Sequence, residues 1–330
     1  MGASLSAAPN CLIFEPAGPA KGKHLVFLSG DEEYRSEESM PMLAKILSQR
    51  HGFKCTVLFA LDPDGTINPD NLKSLPNAAA LDSADGIVMA LRWRDYPDAV
   101  MKHFVAAYHR GVPIVALRTS THAFKLSSPT YAKYNKFGKN VFGEEWVDHW
   151  GHHNFESTRA VKDPAAAGNP VLNGVESFWV PTDTYEVYPP ADIAVLLRGE
   201  VLSGMKPDDP PATHPRKRSS DGREQPINDP MMPIAWTRVY RNDVGKTNRI
   251  LCTTMGAAVD LRSEDLRRLL VNGVYWGLNL PVPPRANVDL VDPYVPRYFG
   301  STKDGYKRGM RPADYGLGHP DRTGESQPGR

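Results

Sequence analysis

The sequence predicts an α/β fold: a doubly wound, mainly parallel sheet with helices on both faces. Two observations carry this reading. Four short apolar runs alternate with amphipathic segments at helical spacing, and the runs end in charged or hydroxyl residues. The third run, residues 86–91, is apolar throughout, as suits a strand covered on both faces.

Residues 25–29 form the first strand. Ser36 or Ser39 can cap the helix that follows, with Glu37 and Glu38 near its positive end. Capping by Ser39 puts Pro41 in the first turn, where its missing N–H does no harm. Met40, Leu43, Ala44 and Leu47 then make one apolar face, and Gly52 closes the segment. The second strand is 55–60 and the third 86–91, with Arg92-Trp93-Arg94-Asp95 directly behind it. A helix over 97–110 turns Met101, Phe104, Val105 and Tyr108 inward, and Gly111 stops it. The fourth strand, 113–117, runs into Arg118-Thr119-Ser120-Thr121-His122.

Residues 125–192 are less regular and rich in aromatics, His and Gly, with candidate strands near 154–159 and 185–188. Strands are expected at 193–202 and 232–240, separated by a Pro-rich polar loop over 206–230. A late strand at 250–254 precedes a helix capped by Ser263, with Leu266, Leu269, Leu270 and Val274 facing inward. The chain divides into an N-terminal extension (1–21), one α/β domain (22–282) and an irregular Pro/Gly-rich tail (283–330). The tail either wraps the domain or serves a neighbouring subunit of a homo-oligomer, with disorder expected over 316–330.

Hydrophobic residues make up 41% and charged residues 23% of the 330, ordinary values for a globular protein with a sizeable core. The net charge of +1 gives no reason to expect a nucleic-acid partner; Arg216-Lys217-Arg218 reads as a solvated loop. No apolar stretch approaches the ~20 residues that span a bilayer. Cys11, Cys55 and Cys252 have no disulfide or zinc-knuckle spacing. Met1-Gly2 formally fits a myristoylation pattern, and residues 4–8 resemble the small-residue end of a signal peptide. An exported, periplasmic protein lacking its leader is the favoured expectation, a cytoplasmic one the alternative.

Loops that follow parallel strands emerge at one carboxyl edge, where open α/β sheets bind ligands. That geometry gathers 31–35, 92–95, 118–122 and 254–256. Asp31 and Glu33 can hold sugar hydroxyls or move protons. Arg35, Arg92, Arg94 and Arg118 can hold an anion or a developing oxyanion. The competing reading is a structural salt-bridge network. Residues 112–122 have the form of a strand-to-helix elbow, but Arg118 stands where a nucleophile would. Thr119 and Ser120 either act with His122 or cap the turn. His149, His152 and His153 form the densest imidazole cluster. His149 and His152 share a face if the segment is helical, His149 and His153 if it is extended; either pair can offer two nitrogens to a zinc-like divalent metal. Hydrogen bonding to substrate or backbone is the alternative. Trp93 and Trp150 can stack on sugar rings, and Asp183 with Tyr185 forms a second polar insertion.

Four motifs, Gly30 to Glu38, Leu117 to Phe124, Thr182 to Tyr185 and Thr253 to Ala258, together resemble the trehalose-utilisation (ThuA-like) family over roughly residues 22–282. The resemblance implies the class I glutamine amidotransferase-like, flavodoxin-like fold. Amidotransferases of that superfamily place a catalytic cysteine where Arg118 stands and a late His-Pro-Glu where Thr254-Met255-Gly256 stands, so glutaminase chemistry is not expected. ThuA-like proteins commonly carry His-Ser at Arg118-Thr119, so this chain departs from that pattern too. The family is associated with bacterial sugar catabolism alongside oxidoreductases that make 3-keto-glycosides. The resemblance thus implies a small-molecule sugar substrate and an acid–base enzyme acting on a glycoside or 3-keto-glycoside. His122 or His149 would be the base, Asp31 or Glu33 a hydroxyl clamp or acid, and Arg92, Arg94 and Arg118 the oxyanion partners. The alternatives are a non-catalytic sugar-binding or assembly protein and a metal-dependent hydrolase built on the His149–His153 cluster.

Overall fold

The computed structural model describes residues 10–300 and 305–319. The readings made for residues 1–8, and the part of the tail beyond 319, lie outside the described residues.

The strands in chain order are β1 (Cys11–Phe14), β2 (His24–Gly30), β3 (Lys54–Phe59), β4 (Gly86–Leu91), β5 (Ile114–Leu117), β6 (Asp148–His149), β7 (Thr158–Lys162), β8 (Phe178–Val180), β9 (Tyr185–Glu186), β10 (Ile193–Val201), β11 (Pro215–Lys217), β12 (Glu224–Pro226), β13 (Met232–Arg241) and β14 (Thr247–Thr253). The α-helices are α1 (Ser36–Gln49), α2 (Asp98–His109) and α3 (Glu264–Gly277). Ten strands form one sheet in the order β1-β3-β2-β4-β5-β14-β13-β10-β7-β8. Its centre, β3-β2-β4-β5-β14, is parallel.

The remaining pairings are antiparallel, so the sheet is mixed rather than mainly parallel. The cause lies in the connections. Parallel neighbours need a crossover, usually a helix, whereas strands β7 to β14 follow one another through loops with no α-helix between them. Chain that cannot cross over returns beside its predecessor, as β13 and β14 do.

Two core clusters flank the sheet. One holds the inward faces of α1 and α3, including Met40, Leu43, Leu47, Leu266 and Leu270; the other holds Met101, Phe104 and Val105 of α2. Each such side chain contributes about 1.5–3 kcal/mol by leaving water. Cys55 and Cys252 are buried and free, and Cys11 is free and partly buried.

α1 starts a turn earlier than capping by Ser39 would require. Arg35, at φ 59°, takes the N-cap position, and among the described residues no side chain caps the helix. Ser36 Oγ turns back instead to accept from the Asp31 N–H (2.8 Å). Pro41 therefore lies inside the helix. In α3, Ser263 does cap, accepting from the Leu266 N–H at 3.3 Å. Among the described residues no helix is long and apolar enough to cross a membrane. The described tail lies on the domain: Ala286, Val288, Phe299, Tyr306 and Tyr315 are buried, and the Gly300 N–H donates to Glu33 O at 3.0 Å.

Candidate functional site

The loops after β2, β4, β5 and β14 meet at the carboxyl edge of the parallel strands. Gly30 makes the first approach possible: a Cβ there would sit 2.9 Å from Leu91 Cδ2 and 3.0 Å from Arg94 Cδ. Three non-glycine residues of these loops, Arg35, Trp93 and Arg118, have positive φ (59°, 47° and 44°). Such backbone costs of order 1–3 kcal/mol per residue and persists only where surrounding contacts enforce it.

Asp31 is buried. Its Oδ1 accepts from the Glu33 and Tyr34 N–H groups (3.0 and 3.1 Å), and its Oδ2 accepts from the Thr119 hydroxyl. Burial, reinforced by the charge of Glu32, pushes its pKa up to about 6. Glu32 pairs with Arg92 and, at 2.8 Å, with Arg94. Arg94 is fully enclosed; it also donates to Arg92 O and Pro69 O, both at 2.7 Å. Glu33 pairs with Arg92 at 3.1 Å.

Behind this rim lies a buried clamp. Arg118 donates from Nη1 to Asp183 O and Thr254 O (both 2.8 Å), and from Nη2 to Asp183 Oδ1 (2.9 Å) and Tyr34 OH (3.1 Å). Its guanidinium lies 4.4 Å from the Tyr34 ring centre and 4.1 Å from that of Tyr185. Asp183 accepts two further bonds, from His149 Nδ1 to Oδ2 (2.7 Å) and from His153 Nδ1 to Oδ1 (2.9 Å). Burial alone would raise the pKa of Asp183. The charge of Arg118 and the two imidazole bonds outweigh it and hold the carboxylate well below its ordinary range.

A carboxylate can only accept, so each ring donates from Nδ1, and its Nε2 is the free lone pair in the neutral tautomer. The two side chains are 27% and 24% exposed, and their rings are 4.5 Å apart. His153 Nε2 is 3.7 Å from Glu33 Oε1. The β6–β9 pairing, His149 opposite Tyr185, brings these loops together.

A group of aromatic rings adjoins these residues. The His122 ring packs 5.2 Å from Trp93 and 5.5 Å from Trp146. Its pKa falls to about 3, first through burial and then through Arg92 and Arg118. Trp93 is 36% exposed, with the Arg92 guanidinium 3.9 Å from its ring centre. Phe299 of the tail stands 5.5 Å from His153.

Glu33, Arg92, Trp93, His122, His149 and His153 thus form one contiguous group of contacts at this edge, all but Glu33 partly exposed. Other candidates do not. Arg94 and Arg118 have no open face for an oxyanion, because protein acceptors and carboxylates enclose them. Asp31 and Thr119 are buried against each other, and Ser120 Oγ is spent on Met89 O at 2.9 Å. Arg35 donates to Glu32 O and Gly300 O, holding the tail. Trp150 is a core residue whose indole donates to Ile227 O (2.7 Å), not a sugar platform. Tyr185 stacks on Arg118, and Asp183 is buried behind His149 and His153, to which it is hydrogen-bonded. A His122 that takes a proton only near pH 3 is a poor base at neutral pH.

A metal set of His149, His152 and His153 is also not what the fold assembles. His149 and His153 group with Asp183, whereas His152 groups with Glu156 and His214. The turn 150–153 points alternate histidines to opposite sides. Sequence reasoning did not single out Tyr34, Asp260 or Phe299, and it gave Glu32 and Trp146 no part beyond a charged loop and a pool of tryptophans. Tyr34 and Glu32 lie within a motif already singled out. Asp260, whose Oδ2 accepts from Thr182 Oγ1 and the Gly256 and Ala257 N–H groups, and Phe299 carry no local signal.

No family profile and no curated protein matches this chain. A structural match is found to a ThuA-like protein from Parabacteroides merdae, with 15% identity, a TM-score of 0.51, and coverage of 89% of this chain and 99% of that one. At that identity the likeness concerns the fold: this chain is built like a ThuA-like protein along nearly the whole of its counterpart.

Proposed function

We propose that the chain is an acid–base enzyme of carbohydrate breakdown, acting on a glycoside or 3-keto-glycoside in the crevice at the carboxyl edge. One observation carries the reading: Asp183, anchored by Arg118, takes the Nδ1–H of both His149 and His153, which leaves Nε2 as the second nitrogen of each partly exposed ring, that of His153 3.7 Å from Glu33 Oε1. Orientation by a buried carboxylate is how an imidazole is prepared as a base. The fold-level likeness to a ThuA-like protein and the four sequence motifs supply the substrate class. The order of the five parallel strands supports flavodoxin-like parentage, with ligands bound at the strand ends.

In this reading Trp93 stacks on a sugar ring. A C3 ketone acidifies the C2 proton, which His149 Nε2 removes. Negative charge then builds on the ketone oxygen, where Arg92 can meet it. The enolate reforms the carbonyl as C1=C2 forms and the C1–O bond breaks. The departing oxygen takes a proton from an acid, the role assigned to Glu33.

The test is turnover of matched substrates. A 3-keto-disaccharide should react while the unmodified disaccharide does not; failure of both to react would count against the reading.

A second reading, a metal-dependent hydrolase, is favoured by the same carboxylate-oriented pair, which suits a divalent ion. Metal analysis of the purified protein, with wild type compared to His149→Ala, separates the two.

A further inference from the structure

On the other side of the turn that carries His149 and His153, a second group of metal-ligating side chains joins two distant parts of the chain. The buried Glu156 carboxylate lies between two imidazoles. Its Oε1 is 2.7 Å from His214 Nε2, and its Oε2 is 3.4 Å from His152 Nδ1 while accepting from the His152 N–H at 2.8 Å. The two rings stack at 5.1 Å with 25° between their planes, and one ligand atom from each of the three residues falls within 4.8 Å of the others.

We propose that His152, Glu156 and His214 form a binding site for a zinc-like divalent cation, which pins the Pro-rich loop over 206–230 to the turn that carries His149 and His153. Two imidazoles and a carboxylate are the donor set of such ions. Orientation supports this. His214 Nδ1 is 3.1 Å from Pro215 O, a contact that fixes the proton on Nδ1. Nε2 donates to Glu156 Oε1 at 2.7 Å, and a divalent cation would take the place of that proton between the ring and the carboxylate. Access supports it too: the His152 and His214 side chains are 55% and 35% exposed, leaving positions for water ligands.

The pinned loop matters because it already touches the crevice. Arg216 donates to His149 O (2.7 Å), Ser219 Oγ to Asp148 Oδ2 (2.9 Å), and Ile227 O receives the Trp150 indole. An ion at the loop's base would therefore hold the backbone of His149. This inference is independent of the reaction proposed above.

The experiment is zinc titration of the metal-free full chain by calorimetry, in wild type, His214→Ala, Glu156→Gln and His149→Ala, with limited trypsin digestion at Arg216-Lys217-Arg218 as a second readout. Glu156→Gln keeps an oxygen for the His152 N–H and guards against misfolding. The expected result is one zinc equivalent that survives in His149→Ala and weakens by roughly tenfold or more in His214→Ala and Glu156→Gln. Zinc should slow trypsin cleavage in wild type and in His149→Ala only. The proposal is overturned if both site variants bind zinc as wild type does. It is equally overturned if wild type binds no zinc beyond what His149→Ala abolishes.

Discussion

Arg118 holds Asp183 twice, by the backbone carbonyl at 2.8 Å and by the carboxylate at 2.9 Å, with both side chains fully buried. A buried arginine and carboxylate are costly to desolvate and are retained where geometry repays them. Here the carboxylate uses its remaining capacity to aim two histidines. In the proposed reaction Arg118 is therefore a positioning residue rather than a contact to substrate.

Replacing Asp183 with Asn should separate these roles. The amide keeps one acceptor but turns a donor toward an imidazole, reversing the tautomer it imposes. Turnover of a 3-keto-disaccharide should fall on the order of 10³-fold. Urea unfolding should show a loss of about 3 kcal/mol, because Arg118 stays buried without its counter-charge.

Glu37 predicts a pH effect on stability. It is buried near the start of α1, and neither carboxyl oxygen has a hydrogen-bond partner among the described residues. Burial, against partial relief from Arg35, raises its pKa from 4.5 to about 8. The folded chain therefore keeps a proton that the unfolded chain gives up. The associated stability is full below about pH 4.5 and is lost as pH rises through about 8. Glu37→Gln should match wild type at low pH and exceed it at pH 9 by a few kcal/mol, measured by urea midpoints.

His122 predicts the opposite slope. Its folded pKa of about 3 lies below the ordinary 6.5, so stability is full above 6.5 and is lost as pH falls toward 3. His122→Gln should flatten that acid limb. It should leave the shape of the pH–rate profile between pH 5 and 8 unchanged, since His122 does not titrate there. A profile that loses a limb in this variant would restore His122 as the base.

Trp93 is assigned to binding. Trp93→Ala should raise KM for a sugar substrate by about tenfold at most, the value of one aromatic stack, with little change in kcat. A large fall in kcat with KM unchanged would remove it from that role.

The parallel half of the fold was legible because its signals are local. Strands β2, β4 and β5 are apolar runs that stop at charged or hydroxyl loops, and the carboxyl-edge rule gathers those loops without further information. Direction was not legible. Whether Arg118 points to solvent or inward depends on Asp183, 65 residues away, which enters from the antiparallel half. Trp150 adjoins a His-rich turn yet buries its ring under Ile227, supplied by a distant loop. His152 and His153 are neighbours in sequence, and only the turn over 150–153 decides that one faces Asp183 and the other Glu156. The mixed character of the sheet was missed for a related reason: strand-like runs are readable, but the absence of a crossover helix shows only when partners are known.

The most direct test of the account is deuterium exchange into a 3-keto-disaccharide in D2O, followed by NMR at the carbon beside the ketone. Wild type should introduce deuterium there, His149→Ala and Asp183→Asn should slow this by at least about 100-fold, and His122→Gln should exchange at the wild-type rate. Exchange by Asp183→Asn as fast as by wild type, or none by wild type itself, would contradict the claim that Asp183 prepares a histidine for proton abstraction.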